Sequence, residues 1–167
     1  RGEYIGFVDP DDWVEATMYE NMVNKATNNN ADICICDCIR RTPRGALPIL
    51  LPIKENILNK DDIIEKLITN MIAGPDLNSE TRAIMGSVCR LVLRRDLIEN
   101  NNIRFKHDIP YMEDLLFCVE ALLQSNKVII DRGRYYQYEF RYNSATSKYM
   151  SLSQIIGHRF VFFTRYF

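Results

Sequence analysis

Along the chain, apolar and polar residues fall into blocks whose period switches between about two and about 3.6, and the switch points divide it into strands and helices. Tyr4–Val8 (YIGFV) is a short run of β-formers between Gly2 and a Pro10-Asp11-Asp12 cluster, and predicts a buried strand. From Trp13 to Thr27, Val14, Met18, Met22, Val23 and Ala26 lie one, three or four residues apart, the spacing of a helix with one apolar face. Asp11, Asp12 and Glu15 sit at its N-terminal end, where carboxylates cap a helix and favour its dipole. Ala31–Ile39 (ADICICDCI) is alternating and β-branched, so it predicts a second strand. Strand, helix and strand in this order predict a βαβ unit and a parallel sheet.

Arg40–Asn56 holds three prolines, three arginines and a glycine and predicts a surface loop. Asp61–Ile72 carries Ile63, Ile64, Leu67, Ile68, Met71 and Ile72 on a helical stripe, with Lys60-Asp61-Asp62 as its start and Gly74-Pro75 as its stop. Ser87–Asn100 reads as a helix on Val88, Leu91, Val92, Leu97 and Ile98, although Val88–Leu93 also suits a strand. The clearest helical pattern is Met112–Gln124 (MEDLLFCVEALLQ). Val128–Asp131 and Arg134–Phe140 predict two strands joined by an Asp131-Arg132-Gly133 turn, and an aromatic helix is expected over Ser151–Phe167. Asn28-Asn29-Asn30 and Asn100-Asn101-Asn102 punctuate helix ends or turns. The expectation is an α/β fold with residues 1–150 as one unit and 151–167 as an appended helix.

Composition narrows the function classes. At 167 residues with 47% apolar and 26% charged content, the chain has the material for one hydrophobic core. Its 21 basic and 22 acidic residues leave a net charge of −1, so no nucleic-acid partner is expected. Five cysteines, an odd number, and no opening stretch of secretory-signal character point to a reducing cytosolic compartment. The longest apolar run, Ala46–Ile53, is broken by Pro48 and Pro52 and falls well short of the ~20 residues of a membrane-spanning helix. Cys34, Cys36 and Cys38 alternate on one strand and read as small buried hydrophobes rather than a metal cluster.

Candidate chemistry concentrates in two acidic patches. Asp9, Asp11 and Asp12 follow an apolar strand, at the carboxyl end where α/β sheets place ligands. The Asp-x-Asp spacing of Asp9 and Asp11 offers hard oxygen ligands suited to Mg²⁺ or Mn²⁺ bridging a diphosphate. The same residues also suit a strand end followed by a helix cap. Glu113-Asp114 opens the helix after Pro110 and Tyr111, and serves either as a helix start or as a general base toward an attacking hydroxyl. Arg90, Arg94 and Arg95 suit a diphosphate or anionic acceptor, or a solvated helix face. Arg159 and Arg165, set among phenylalanines, suit peripheral contact with a membrane surface, and the segment equally suits packing against the domain.

The run Gly2-Glu3-Tyr4-Ile5-Gly6-Phe7-Val8-Asp9-Pro10-Asp11-Asp12-Trp13 resembles the segment of bacterial family-2 glycosyltransferases that carries the Asp-x-Asp motif. The resemblance continues through Asn30–Asp37, Cys89-Arg90-Leu91, Arg94-Arg95, Phe105 and Glu113-Asp114-Leu115-Leu116-Phe117, then Tyr135–Tyr138 and Arg141–Thr146, with residues 40–82 matching only loosely. It implies a partial GT-A fold, Rossmann-like, with a mixed sheet and flanking helices. Residues 1–150 would then be its acceptor-side and metal-motif part.

The implied activity is inverting transfer of a sugar from a nucleotide-diphospho-sugar donor to a hydroxyl of a polysaccharide or glycolipid acceptor. It would take place in the cytoplasm, peripherally at the inner face of the membrane. By the same resemblance Asp11 is the direct metal ligand and Asp9 the acid near the donor's ribose and diphosphate, also reaching the metal. Arg90 lies toward the diphosphate, Asp12 and Trp13 lie at the sugar, and Asp114, with Glu113 as alternate, is the base. Trp13 equally suits a core position.

Family members carry a further N-terminal stretch with a Pro-Val-Tyr-Asn-type strand and an Asn-Asp-Gly-Ser-Thr-Asp-type loop that hold the nucleotide base, which these 167 residues lack. The chain by itself is therefore expected to transfer no sugar, and Tyr4–Val8 to be an exposed sheet edge open to homodimer pairing. Two other readings stay open: a non-catalytic interaction module, and a phosphohydrolase with Asp9 as nucleophile and Asp11 as acid, which Trp13 fits poorly.

Overall fold

The computed structural model describes residues 2–73, 86–107 and 113–139. Seven strands form one mixed sheet: β1 (Tyr4–Gly6), β2 (Trp13–Val14), β3 (Ile33–Thr42), β4 (Gly45–Ile49), β5 (Ile57–Leu58), β6 (Leu91–Arg94) and β7 (Val128–Glu139). The main order is β1-β6-β3-β7-β2, with β4 added to β3 and β5 to β7. The helices are α1 (Met18–Asn28), α2 (Lys60–Asp62), α3 (Thr69–Ala73), α4 (Arg95–Asn100) and α5 (Glu113–Gln124). The anticipated helix after Ser151, with Arg159 and Arg165, lies outside the described residues, as do Pro110, Tyr111 and Arg141–Thr146.

The expected βαβ unit is present in altered form. Both β1 and β3 pair antiparallel with β6, which is inserted between them, so the two run parallel without touching; β3 and β7 are the parallel neighbours. Ile33–Cys38 on β3 is buried throughout, as befits a strand covered on both faces. β1 forms one end of the described sheet and is half-buried at Tyr4 and Ile5.

Several boundaries differ from the sequence expectation, each for a physical reason. The first strand stops at Gly6, and the chain turns where Asp12 N–H donates to the Asp9 carbonyl at 3.1 Å. Trp13 and Val14 do not begin α1; they pair with Gln137 and Tyr136 as edge strand β2, and the helix starts at Met18. Within the anticipated loop 40–56, β3 runs on to Thr42 and folds back into β4, whose Pro48 is tolerated on an edge strand. Gly45 makes that turn at φ 128°, and the Thr42 hydroxyl donates to its carbonyl at 2.9 Å. Residues 87–100 divide into a 3₁₀ turn (Val88–Arg90), β6 and α4 rather than one helix, because Leu91, Val92 and Leu93 are all buried in the sheet.

The anticipated turn at Asp131-Arg132-Gly133 is a bulge inside a single strand β7. The partners of Cys36 and Asp37 are Asp131 and Arg134, and Gly133 N–H donates to the Asp131 carboxylate at 2.9 Å. The stripe at 61–72 is helical as expected. It opens on an Asn59/Asp62 capping box and widens to a π-helix over Ile63–Ile68, where the Thr69 hydroxyl bonds the Ile64 carbonyl. Asn30 and Asn102 adopt φ of 48° and 49° just beyond α1 and α4. After each, the next residue's N–H reaches back to the helix, Ala31 to Ala26 O and Ile103 to Ile98 O.

Candidate active site

Asp9, Asp11 and Asp12 lie on the turn between β1 and β2, above the C-terminal half of β7. Tyr136 of β7 is 2% exposed and lies beneath this turn. Its hydroxyl accepts the Asp9 N–H at 3.2 Å and donates to Asp12 Oδ2 at 2.6 Å, while Asp12 Oδ1 accepts the Glu139 N–H at 2.8 Å. Both Asp12 oxygens therefore face β7. Neither caps α1, whose N-cap Thr17 makes no side-chain cap bond. Burial and the bond to Asp12 raise the Tyr136 pKa, so the phenol stays protonated.

Glu113 and Asp114 open α5, and both this pair and Asp9 act on Cys89 or on each other through their charge. Asp114 Oδ2 accepts the Val88 N–H at 3.3 Å, which ties it to the 3₁₀ turn before β6. Burial pushes the Asp114 carboxyl up from 3.8 to about 6; the Val88 bond opposes this, and the charges of Glu113 and Asp9 add to it. Asp9 is raised by burial and by Asp12, pulled back by a hydrogen bond from the Cys89 thiol, then raised again by Asp11 and Glu113. The two acidic patches thus sense each other's charge and share one neighbourhood. Cys89, buried between them, is pushed to about 11 by burial, with Tyr136 lowering it and Asp9 and Asp114 raising it.

Aromatic packing holds the two patches in register. Phe7, two residues before Asp9, meets Phe117, three after Asp114, edge to face; Phe105 stacks flat on Phe117 at 4.4 Å.

Trp13 is 43% exposed beside the turn, so it is no core residue. Its indole N–H donates to Glu139 Oε1 at 3.1 Å, and the Arg41 guanidinium lies 5.4 Å from its ring centroid. Arg90, expected near a diphosphate, is drawn into the interior: it is 2% exposed, its Nε donates to the Cys36 carbonyl at 2.9 Å, and Nη2 is 3.7 Å from Asp37 Oδ1. Arg94 and Arg95 likewise bond Ala31 O and Gly2 O at the sheet edge. Among the described residues no group of three or more His, Cys, Asp or Glu is arranged to hold a metal, and no helix is long and apolar enough to cross a membrane.

The local sequence marks no role for Tyr136, Cys89, Asp37 or the Phe7–Phe105–Phe117 cluster. The parity of β7, which sends Tyr136 and Tyr135 to opposite faces of the sheet, is hidden by the bulge at Gly133.

The family model described as Glycosyl transferase family 2 matches residues 1–97. The uncharacterized glycosyltransferase EpsJ of Bacillus subtilis is 32% identical over 137 residues, covering 81% of this chain and 37% of EpsJ. A cholesterol galactosyltransferase of Borreliella burgdorferi is 28% identical over 153 residues, 88% of this chain and 40% of that protein. Among solved structures, S. aureus TarS 1–349 in complex with UDP-GlcNAc superposes with a TM-score of 0.66 at 20% identity, covering 90% of this chain and 38% of the TarS 1–349 chain. That likeness is one of fold, and it supports the expected partial GT-A architecture with a mixed sheet. The chain spans about two fifths of the length of the relatives it matches.

Proposed function

Because the chain belongs to glycosyl transferase family 2, we propose that its two acidic patches serve inverting transfer of a sugar from a nucleotide-diphospho-sugar to a hydroxyl of a polysaccharide or glycolipid acceptor. The observation that carries this reading is the charge coupling between the two patches, Glu113 acting on Asp9 and Asp9 on Asp114, from elements far apart in sequence, with Asp114 raised to about 6. A base for an alcohol needs a carboxylate that gains from taking up a proton and still ionises near neutrality. Burial supplies that at Asp114, and Glu113 beside it is the alternate base.

In the proposed step the acceptor oxygen bonds to the anomeric carbon as the bond from that carbon to the diphosphate oxygen breaks. The hydroxyl proton passes to Asp114 Oδ1 or Oδ2. Asp11 and Asp9 would hold Mg²⁺ or Mn²⁺. The donor set would suit such an ion: hard carboxylate oxygens, with Asp11, Asp12 and Glu113 adding negative charge near Asp9 and the remaining ligands left to phosphate oxygens and water. The ion would supply Lewis-acid neutralisation of the departing diphosphate. Trp13, its ring braced by Arg41, presents a rigid face for a sugar beside Asp11. Work at the cytoplasmic face of a membrane, with peripheral contact, agrees with a lipid-linked acceptor.

Calorimetric titration of the chain with Mn²⁺ and a panel of UDP- and GDP-sugars tests the donor half; heat is expected with wild type and lost in Asp11→Asn. Sugar transfer with the chain in its natural reading frame tests the chemistry. Turnover surviving Asp114→Asn with Glu113→Gln would overturn the assignment of the base.

A further inference from the structure

The turn bearing Asp9 and Asp11 is fastened from beneath by one phenol. Tyr136 Oη lies at the meeting point of the Asp9 N–H, the Asp12 carboxylate and the Cys89 thiol. At 2.6 Å the bond to Asp12 is at the short end for an O–H···O contact. Asp12 completes the fastening by accepting the Glu139 N–H, and Glu139 in turn holds the indole of Trp13.

We infer that Tyr136 is a positioning residue: through its hydroxyl it locks the Asp9–Asp12 turn to β7 and thereby holds Asp9 and Asp11 at the donor pocket. Asp12 is the anchor of that lock rather than a sugar ligand, because both of its oxygens are engaged on the β7 side. This inference rests on the donor reading of Asp9 and Asp11 given above. Packing alone does not account for the arrangement, since a phenylalanine would fill the same space. The oxygen is what joins the Asp9 backbone to the Asp12 side chain. In Tyr136→Phe the ring stays, Asp12 Oδ2 loses its donor, and the Asp9 N–H loses its acceptor.

Trp13 is the only tryptophan of the chain and reports on this lock directly. Two readouts separate the inference from its premise: acrylamide quenching of Trp13 emission, which needs no ligand, and Mn²⁺ affinity followed by water-proton relaxation. Tyr136→Phe is expected to keep its helical circular dichroism while Trp13 becomes more quenchable, and to bind Mn²⁺ ~10-fold or more weakly, the usual cost of losing an outer partner of a metal ligand. Asp12→Asn is expected to do the same, and the double variant to add little, because both act through one bond. Tyr136→Phe with wild-type quenching and wild-type Mn²⁺ affinity would overturn the inference. If the wild type itself binds no Mn²⁺, the donor reading fails and the lock is decided by quenching alone. If Tyr136→Phe does not fold, Asp12→Asn decides by the same two readouts.

Discussion

The rings of Phe7 and Phe117 meet edge to face, 5.6 Å between centroids and 78° between planes, joining the strand that leads into Asp9 to the helix that begins at Glu113. Phe105 closes the cluster, 5.5 Å from Phe7 at 86° and stacked on Phe117 at 11°. The carboxylates above these rings repel one another, since neighbouring negative charge raises both Asp9 and Asp114. What brings the acids together is therefore apolar packing beneath them. Each aromatic pair contributes ~0.5–1.5 kcal/mol beyond the area it buries.

Phe117 is almost wholly buried, so Phe117→Ala is expected to cost ~3–5 kcal/mol in urea unfolding. A Phe7→Ala/Phe117→Ala double-mutant cycle should return a coupling of ~0.5–1.5 kcal/mol. In Phe117→Leu, which keeps the chain folded, the Asp114 carboxyl should titrate closer to an ordinary aspartate. Carboxyl carbon NMR against pH measures that shift.

Asp114 is expected to trade stability for chemistry. Its carboxyl is raised in the folded state, so the folded chain binds the proton more tightly than the unfolded chain does. Stability from this group is therefore lost as pH rises from about 3.8 toward about 6, and the ionised form is carried at a cost above that. Discounted for its partial exposure, the cost is ~1–2 kcal/mol. Asp114→Asn keeps an acceptor for the Val88 N–H and should stabilise the chain by that amount at pH 7. The gain should shrink as pH falls through this range and vanish below pH ~3, where the wild-type carboxyl is neutral in both states. Wherever the protein shows transfer, the same variant should abolish it, and wild-type turnover should fall below pH ~6.

Much of the sheet was legible because strand and helix periods are strong where one face is buried. The αL asparagines at 30 and 102 were visible as clusters closing α1 and α4. Less legible were features fixed by pairing between distant segments. Leu91–Leu93 is apolar at every position and carries no period, so only its place between β1 and β3 makes it a strand. Gly133 signals a turn, and the absorbed bulge shows only against the register of β3. Asp9, Asp11, Glu113 and Asp114 stood out by spacing and resemblance. The inward aim of Asp12 depends on Tyr136, a residue more than a hundred positions away, and no local pattern contains it.

Arg132 fastens the segment after β4, donating to the carbonyls of Leu51 at 3.3 Å, Ile53, and Glu55 at 3.2 Å and to Asn56 Oδ1 at 3.3 Å. A lysine has no fork to serve four acceptors. Arg132→Lys is expected to leave the core intact and to open residues 51–56 locally. Limited proteolysis should then cut at Lys54 well before global unfolding, while the wild type resists under the same conditions.

Arg90 gives the sharpest contrast between a scaffold and a binding role. Its partner Asp37 is equally buried, and Asp37 Oδ1 also accepts the Leu51 N–H at 2.7 Å. Removing one member leaves a buried charge without its opposite, so Arg90→Met is expected to cost ~3–5 kcal/mol in urea unfolding. Adding Asp37→Asn should recover part of that loss, because the carboxamide still accepts from Leu51 while the stranded charge is gone. Recovery of stability with unchanged heats for Mn²⁺ and the UDP-sugar panel would assign Arg90 to the scaffold. Recovery of stability with donor binding still lost would instead mean that the guanidinium reaches the diphosphate through a rearranged interior. The 2% exposure of Arg90 and its bond to the Cys36 carbonyl favour the first outcome.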